Sequence, residues 1–306
     1  MRIVRTLESF PPEARPSVVA LGVFDGVHLG HRAILDTAVA RAVGATAVVC
    51  TFDPHPAEVL QPDRAPLPIT TLEERLALIA QSGLALAVVV PFTTTLAAME
   101  PEAFVSEILI SRLGAREIVV GFNHRFGRGA RGDARLLTDL GVRLGFHAEV
   151  VPQMADVDGS PVSSSAIRAA LQRGDLDVAA RMLGRTYFVS GEVVEGAGRG
   201  RTLGFPTANI AAERPLLLPP GVYACRLHVD GTVHRAVLNA GVRPTFGEKV
   251  FTLEAHVLDF SGDLYGRPVR LDFVRRIREE KKFPGVDALK AQIVADIDAA
   301  RVALGA

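Results

Sequence analysis

Two histidines stand three residues apart in a glycine-rich segment, residues 22–31, where an apolar run gives way to a helical pattern. Backbone N–H groups and the helix dipole converge on an anion at such a strand-to-helix junction. His28 and His31 would share one face of the first helical turn. Two imidazoles there can donate hydrogen bonds to phosphates as charge moves to a leaving pyrophosphate. The segment therefore predicts a nucleotide phosphate site, with an exposed turn or half of a metal site as the alternatives.

The backbone of the same segment supplies the rest of this predicted phosphate site. Glycines at positions 26 and 30 let the chain approach a phosphate closely because they carry no side chain. The residues assigned beside the histidines are Gly22, Phe24, Asp25, Gly26 and Gly30.

A run of three serines, residues 163–165, gives a second phosphate signal. A serine at a helix N-cap presents its hydroxyl beside free N–H groups, and an arginine one turn later can reach the same anion. We assign Ser164 and Arg168 on this basis. Such triplets also cap many helices for structural reasons alone, so the signal is weak by itself.

Two further segments, 51–56 and 121–133, each follow an apolar run. If those runs are parallel strands, both segments lie at the sheet edge where substrates bind. The second contains Arg125, Arg128 and Arg131, for which a solvated loop is the competing interpretation.

The C-terminal half contains a glycine-rich stretch, residues 196–204, followed by Thr207 and Asn209. On an extended strand residues i and i+2 point the same way, so both side chains could offer oxygens to one hard cation. A glycine-rich flap over phosphates suits phosphoryl transfer, which depends on positioning and charge neutralisation. We assign Gly198 and Gly204 to ATP binding, with a plain β-turn and a satisfied asparagine as the alternative.

A predicted strand further on alternates Glu254 and His256 on one face. The interior of a barrel tolerates a carboxylate poorly unless the carboxylate is paired or takes part in chemistry. Glu254 is thus a candidate functional carboxylate, with a buried salt bridge as the competing role.

Short apolar runs alternate with helical patterns through the first half of the chain. The runs at 17–24, 45–52, 84–92, 116–122 and 147–152 predict five strands of a parallel sheet covered by helices on both faces. Thr70 with Glu73 predicts a capping box for one helix, and Pro101 the first position of another.

From about Tyr187 the pattern predicts a small antiparallel β-barrel of five or six strands. Two helical pieces, 164–173 and 175–183, precede it, and a last helix over about 286–304 carries Leu289, Ile293 and Ile297 on one stripe. We place the domain boundary near Gly184, which predicts domains over residues 1–183 and 184–306.

Composition indicates a soluble cytoplasmic protein in which any anion is bound at a local site rather than by an overall positive charge. The 306 residues contain 34 Lys and Arg against 34 Asp and Glu, so the chain lacks the basic excess typical of nucleic-acid or membrane binding. Two distant cysteines favour a reducing compartment. The longest apolar stretch, residues 84–92, is far shorter than the ~20 residues of a membrane helix.

In order and spacing, GVFDGVHLGH, TFDPHP, GFNHRFGRGARGD and VSSSAIR resemble the nucleotidyltransferases with an HxGH motif. More narrowly, they are similar to the FMN adenylyltransferase module of bacterial bifunctional FAD synthetases. The resemblance implies ATP at His28 and His31, and FMN near the flavin-binding candidates Asn123, Arg125 and Asp133. The family usually has an aromatic residue where His124 stands and a threonine where Ser165 stands.

The C-terminal half resembles the riboflavin kinase module almost continuously over residues 184–293, through LGFPTAN, NAGVRPTFG and LEAHVLDFSGDLYG. This resemblance implies Mg²⁺ and ATP phosphates at Thr207 and Asn209, with Glu254 as the base for the ribityl hydroxyl. Together the two resemblances imply an enzyme that phosphorylates riboflavin to FMN and adenylylates FMN to FAD, with riboflavin, ATP and FMN as its small-molecule substrates.

Two other functions compete with this one. An HxGH enzyme could adenylylate a different phosphate ester, such as phosphopantetheine, but that leaves the kinase-like half unexplained. A non-catalytic flavin-binding regulator has no need of the chemical groups of His28, His31, Thr207, Asn209 and Glu254 together.

Overall fold

A computed structural model describes residues 1–196, 199–245 and 248–305. The chain falls into two compact units, Met1–Ser164 and Ser165–Ala306. Most of the segment 164–183, which the sequence analysis assigned to the first domain, therefore belongs to the second unit. The functional boundary at residues 183 and 184 stays a prediction.

The first unit is built on a parallel sheet of six strands in the order β1-β4-β3-β2-β5-β6. The strands are β1 (Arg2–Val4), β2 (Ser17–Leu21), β3 (Thr46–Asp53), β4 (Leu86–Pro91), β5 (Ala115–Gly121) and β6 (His147–Val151). Five of them were predicted. The edge strand β1 was missed, because three residues are too few to show a pattern. All five residues of β2 are buried, as expected for a sheet covered on both faces.

Helices of the first unit connect these strands. They are α1 (Leu29–Arg41), α2 (Pro56–Leu60), α3 (Leu72–Ala80), α4 (Thr94–Ala97), α5 (Pro101–Ala103) and α6 (Ala134–Leu144). Pro101 does open a helix, but α5 continues as a π-helix over Phe104–Arg112. The predicted capping box is shifted by one residue, since Thr71 and Glu74 form it. The hydroxyl of Thr70 bonds to Asp25 instead.

The order of the strands creates a crevice at the carboxyl ends of β2 and β5. From β2 the chain proceeds to β3 and β4 on one side, and β5 then lies on the other side of β2. Ligands of open α/β sheets bind at such a switch point. Residues 22–31 follow β2 and residues 122–133 follow β5, so the topology brings both predicted segments to this crevice.

The second unit contains a closed antiparallel barrel in the order β10-β11-β8-β7-β12-β9. Its strands are β7 (Phe188–Val194), β8 (Ala208–Ala212), β9 (Gly221–Val229), β10 (Thr232–Thr245), β11 (Glu248–Val257) and β12 (Pro268–Glu279). Helices α7 (Ser164–Arg173) and α8 (Leu176–Leu183) come before the barrel, and α8 packs against β12. The predicted fold class, a parallel α/β domain followed by a small barrel, is confirmed.

Two helices of the second unit lie on the outside of the barrel strands. The short α9 (Arg199–Leu203) interrupts the glycine-rich stretch and was not predicted. The last helix, α10 (Val286–Ala303), packs Ala300 and Ile297 with Val222 and Val237 of the barrel. In the part of the chain that the structure describes, none of the helices is both long and apolar enough to cross a membrane.

Candidate active sites

His28 begins α1 as its N-cap residue. The His28 Nδ1 accepts a hydrogen bond from the His31 backbone N–H at 3.2 Å. A neutral imidazole whose Nδ1 accepts carries its proton on Nε2. Helix capping therefore makes Nε2 of His28 a hydrogen-bond donor at the carboxyl end of β2.

The two histidine rings are stacked. Their centroids lie 3.6 Å apart with an interplanar angle of 16°, and Phe24 meets His31 edge-on at 5.3 Å. A Cβ at Gly30 would lie 3.2 Å from the His28 ring, and one at Gly22 would lie 3.1 Å from the Phe24 ring. These glycines thus leave room for the neighbouring rings as well as for a ligand.

Asp25 is buried, and its carboxylate accepts hydrogen bonds from two backbone N–H groups. Donors at Ile69 and Thr70 lie 3.0–3.1 Å away, and the Thr70 hydroxyl adds a third bond at 3.0 Å. The carboxylate therefore connects the loop after β2 to the segment before α3. Its predicted place in phosphate binding remains a prediction.

Ser164 begins α7 and reaches the histidine segment. Its hydroxyl donates to the Asp25 carbonyl oxygen at 3.0 Å. Arg168 follows one turn later and belongs to the second unit. The structure thus brings Ser164 to the first site, and the assignment of Arg168 to phosphate binding stays a prediction.

The segment after β5 carries the three flavin-binding candidates. Asn123 is exposed two residues after β5 ends, and its Oδ1 lies 3.6 Å from the place of a Gly121 Cβ. Arg125 and Asp133 pair at 3.6 Å, while Asp133 also caps α6 through the Leu136 N–H at 2.9 Å. Asp133 therefore has a structural role that the sequence did not show.

Glu100 forms ion pairs with both Arg128 and Arg131. The sequence alone left open that these arginines belong to a solvated loop. All three side chains are well exposed, so these pairs are weak and can yield to a stronger anion. A basic loop beside the crevice favours phosphate binding there.

His124 takes the place of an aromatic residue. Its ring stacks on Phe126 with centroids 5.9 Å apart and an interplanar angle of 19°. Burial lowers the pKa of His124 to about 4, so the ring is neutral at physiological pH. A neutral imidazole keeps the flat aromatic surface at this position.

One further cluster, which no sequence pattern predicted, could be mistaken for a metal centre. Glu117, His147 and Glu149 lie close together, but the Arg41 guanidinium pairs with Glu117 and lies 2.8 Å from Glu149. The cluster is also at the amino ends of β5 and β6, away from the crevice. It is a surface ion-pair network.

The barrel places two of its functional candidates in one row with a third polar residue. Glu254 on β11 is directly opposite Asn209 on β8 and Asn239 on β10. Side chains of opposed residues lie on the same face of a sheet, about 5 Å apart. Asn239 was not assigned from the sequence, although it lies in a stretch that resembles the kinase module.

The sequence analysis expected Glu254 inside the barrel, and this was wrong. Among the side chains of residues 251–257 of β11, Leu253, Ala255 and Val257 are buried, whereas Glu254 and His256 are half-buried on the other face. That outer face is covered by α10 and by Gly200 and Leu203 of α9. A carboxylate there retains access to a substrate, which an interior position would deny.

Gly196 and Gly200 of the glycine-rich stretch lie directly beside the two predicted metal ligands. A Cβ at Gly196 would lie 1.9 Å from the Asn209 Nδ2, and one at Gly200 would lie 3.0 Å from the Thr207 Oγ1. Gly204 is required for a different reason, its φ of +91°. Gly198 lies outside the described residues.

Two cavities meet at Thr207. One has a volume of about 510 Å³ and is lined by Thr207 together with the loop after β11, including Asp263 and Tyr265. The other has a volume of about 340 Å³ and is lined by Thr207, Glu254 and apolar side chains of α10. We call them the loop cavity and the helix cavity.

A buried ion pair holds α10 in the wall of the helix cavity. Asp296, which is 3% exposed, accepts hydrogen bonds from the Arg278 guanidinium at 2.7 and 2.9 Å and from Gln292 at 2.8 Å. This geometry leaves Leu289 and Ile293 facing the cavity. The sequence suggested the apolar stripe of α10 but gave no sign of the ion pair.

The first unit thus has a histidine-capped helix at the switch point of a parallel sheet. The second has a barrel on which two cavities meet beside a threonine, two asparagines and a glutamate. These features define a two-unit enzyme of nucleotide-dependent group transfer.

Comparisons with known proteins name the family. The family model for FAD synthetase matches residues 10–166, and that for riboflavin kinase matches residues 183–304. A bifunctional riboflavin kinase/FMN adenylyltransferase of Bacillus subtilis is 39% identical, with 93% of this chain and 91% of that protein covered. One of Escherichia coli is 37% identical, with 100% and 97% covered. The chain belongs to the family of bifunctional riboflavin kinase/FMN adenylyltransferases.

A solved structure from Streptococcus pneumoniae has the same fold over the whole chain. It is 31% identical in sequence and has a TM-score of 0.88. The alignment covers 98% of this chain and 98% of that one. It is described as a macrolide-efflux protein. Both family models and the curated relatives instead agree on flavin nucleotide synthesis.

Proposed function

We propose that this chain makes FAD from riboflavin at two separate sites, one in each compact unit. As a member of its family, the chain is a riboflavin kinase and an FMN adenylyltransferase. ATP and riboflavin give FMN and ADP in the first reaction. ATP and FMN give FAD and pyrophosphate in the second.

The position of Thr207 between the loop cavity and the helix cavity carries the kinase assignment. Phosphoryl transfer requires donor and acceptor to meet in line at one point. The helix cavity has the apolar walls that suit a flat isoalloxazine ring. We therefore assign riboflavin to the helix cavity and ATP to the loop cavity, with the γ-phosphate directed at Thr207.

Glu254 is the proposed general base of the kinase. It lines the riboflavin cavity opposite Asn209 and Asn239. Its carboxylate takes the proton of the terminal ribityl hydroxyl as that oxygen attacks the γ-phosphorus. The bond from the γ-phosphorus to the bridging oxygen breaks, and ADP leaves.

Thr207 and Asn209 are the proposed ligands of Mg²⁺. A hydroxyl and an amide oxygen are hard donors, and Mg²⁺ is usually held by few protein oxygens together with substrate phosphates. The donor set therefore fits the ion. When bound, Mg²⁺ neutralises phosphate charge, while the backbone at Gly196 and Gly200 encloses the phosphates.

Adenylylation is assigned to the crevice between β2 and β5. A phosphate oxygen of FMN attacks the α-phosphorus of ATP, and pyrophosphate leaves. His28 donates from Nε2, and His31 and the N-terminal N–H groups of α1 also face the developing charge. We place the FMN near Asn123, with Arg125 and Ser164 at the edges of the site.

A chromatographic assay tests the pair of activities. The protein is incubated with riboflavin, ATP and Mg²⁺, and riboflavin, FMN and FAD are resolved over time. We expect FMN to appear before FAD, and both to stop when the divalent cation is chelated. Phosphopantetheine supplied with ATP tests the rival adenylylation, and its turnover in place of FMN would refute the assignment.

The boundary between the two activities is proposed at residues 183 and 184. The structure also offers a longer kinase fragment, because α8 buries Leu176, Ala179 and Met182 in the second unit. We expect a fragment of residues 165–306 to phosphorylate riboflavin. We also expect it to unfold at a higher temperature than a fragment of residues 184–306. An inert but cooperatively folded longer fragment would show that the kinase needs the first unit.

A further inference from the structure

The loop that precedes His28 has an unusual backbone. Phe24, Gly26 and Val27 have φ angles of +58°, +84° and +38°. Left-handed conformations cost a side-chain-bearing residue of order 1–3 kcal/mol each and persist only where surrounding structure imposes them. Phe24 and Val27 are both fully buried, and Val27 is β-branched, the least suitable type for this conformation. Something outside the loop must hold it in place.

Thr70 supplies one part of that support. Its hydroxyl accepts from the Gly26 N–H at 3.0 Å and donates to the Asp25 carboxylate at 3.0 Å, while its own N–H donates to the same carboxylate. Thr70 is 6% exposed. The side chain thus fixes two successive residues of the left-handed loop.

Arg75 supplies the other part, from the second turn of α3. Its guanidinium donates to the Val23 carbonyl at 2.8 Å and to the Phe52 carbonyl at 3.0 Å. Val23 follows β2 and Phe52 is near the end of β3, so one planar group joins the ends of two strands. Arg75 is 5% exposed, and burial lowers its pKa. Burying a charged group costs free energy unless hydrogen bonds compensate for the lost contact with water, as the two carbonyls do here.

We propose that Thr70 and Arg75 are positioning residues for adenylyl transfer, which hold the residue 23–27 loop so that His28 and His31 face the reacting phosphates. The inference rests on the proposed adenylylation site. Neither residue is assigned to substrate, since both are buried beneath the loop. They act by fixing where the histidines point.

The expected effect follows from geometry. Displacing a catalytic group by about 1 Å can cost ~10²-fold in rate. Loss of the Thr70 hydroxyl removes its hydrogen bonds to the Gly26 N–H and to the Asp25 carboxylate. The strained loop would then relax, and the histidines would move with it. The rate constant of adenylylation should fall, while ATP binding changes less.

The test compares Thr70→Val with Thr70→Ser in the full chain. Valine keeps the shape and removes the hydroxyl, whereas serine keeps the hydroxyl. FAD formation from supplied FMN is measured as kcat and KM for ATP, and FMN formation from riboflavin serves as an internal control. We expect Thr70→Val to lower kcat of adenylylation by ~10–100-fold with a KM change below ~3-fold. Thr70→Ser should recover most of the loss, and kinase activity should be unchanged in both.

A second variant, Arg75→Lys, keeps the positive charge but cannot donate to two carbonyls in the fixed geometry of a guanidinium. We expect a fall of ~10-fold in kcat of adenylylation. If the unfolding transition shows that Thr70→Val does not fold, Arg75→Lys tests the proposal in its place.

Three results would overturn the proposal. One is a folded Thr70→Val with kcat of adenylylation within about twofold of the unaltered chain. Another is an equal loss in Thr70→Val and Thr70→Ser, which would make side-chain shape the cause. The third is an effect confined to KM. Absence of FAD formation by the unaltered chain, or a normal rate in His31→Ala, would instead refute the proposed adenylylation site.

Discussion

Replacing Glu254 by glutamine tests the kinase mechanism at its chemical centre. Glutamine has nearly the same shape, so the contacts of β11 with Asn209 and Asn239 are preserved. It cannot accept a proton from the ribityl hydroxyl. We therefore expect riboflavin phosphorylation to fall sharply while riboflavin and ATP still bind.

The expected magnitude separates this role from a structural one. General base catalysis usually contributes ~10²–10⁴-fold, which is about 3–6 kcal/mol at ~1.4 kcal/mol per tenfold. As a structural group, Glu254 is half-buried and lies between two amide side chains that can hydrogen-bond to glutamine as well. The net value of one such hydrogen bond is only ~0.5–1.5 kcal/mol. The predicted kinetic loss is therefore larger than the predicted loss of stability.

The assay follows FMN formation from riboflavin in Glu254→Gln. FAD formation from supplied FMN shows that the first unit is unaffected, and the unfolding transition shows that the barrel is folded. Glu192→Gln is the matched control, because it makes the same substitution at another glutamate of the barrel. Glu192 is exposed on β7 and lines neither of the two cavities. A kinase rate near normal in Glu254→Gln would make Glu254 a structural carboxylate and refute the reasoning.

Three further results are expected. His31→Ala should lower the rate of FAD formation by ~10²–10³-fold, because a hydrogen-bond donor aimed at developing charge usually contributes that much. FMN formation should stay intact, and the reverse pattern would exchange the roles of the two units. Gly196→Ala should reduce kinase activity selectively, because its Cβ would lie 1.9 Å from the Asn209 amide, and an unchanged rate would show that the flap does not enclose the phosphates. Hydrogen bonding to Arg301 lowers the pKa of Asp259, so this pair stabilises the fold at neutral pH and ceases to do so as pH falls through the lowered pKa. Chemical unfolding of Arg301→Gln should thus show lower stability than the unaltered chain at pH 7 and the same stability in strong acid, and a pH-independent difference would contradict this.

Much of the fold could be read from the sequence because its signals are local. Continuous apolar runs between helical patterns indicate buried parallel strands, and five of the six strands in the first sheet were found in this way. The strand Arg2–Val4 was missed because it is defined by pairing with Leu86, Ala87 and Val88 rather than by its own pattern. The capping box was misplaced by one residue, since two overlapping Thr-x-x-Glu patterns are equivalent in sequence.

The candidate sites likewise combine residues that local sequence indicated with residues that only the folded structure revealed. Motif and spacing indicated His28, His31, Thr207, Asn209 and Glu254, because the types and intervals of these residues are themselves chemical signals. Sequence could not reveal Asn239 as the neighbour of Glu254, since that contact depends on the register of β10 and β11. Nor could it reveal the buried pair of Arg278 and Asp296, which are 18 residues apart on a strand and a helix.

The sequence by itself determined which chemistry the chain can perform, because side-chain types and their local spacing decide which groups can bind phosphate, accept a proton or ligate a cation. Only the tertiary structure decided on which face of the barrel Glu254 lies and that two cavities share Thr207. It also decided that Thr70 and Arg75, 44 and 52 residues from the partners they hold in the histidine loop, support that loop. These features depend on strand register and long-range packing, which are properties of the whole folded chain and leave no trace in local sequence.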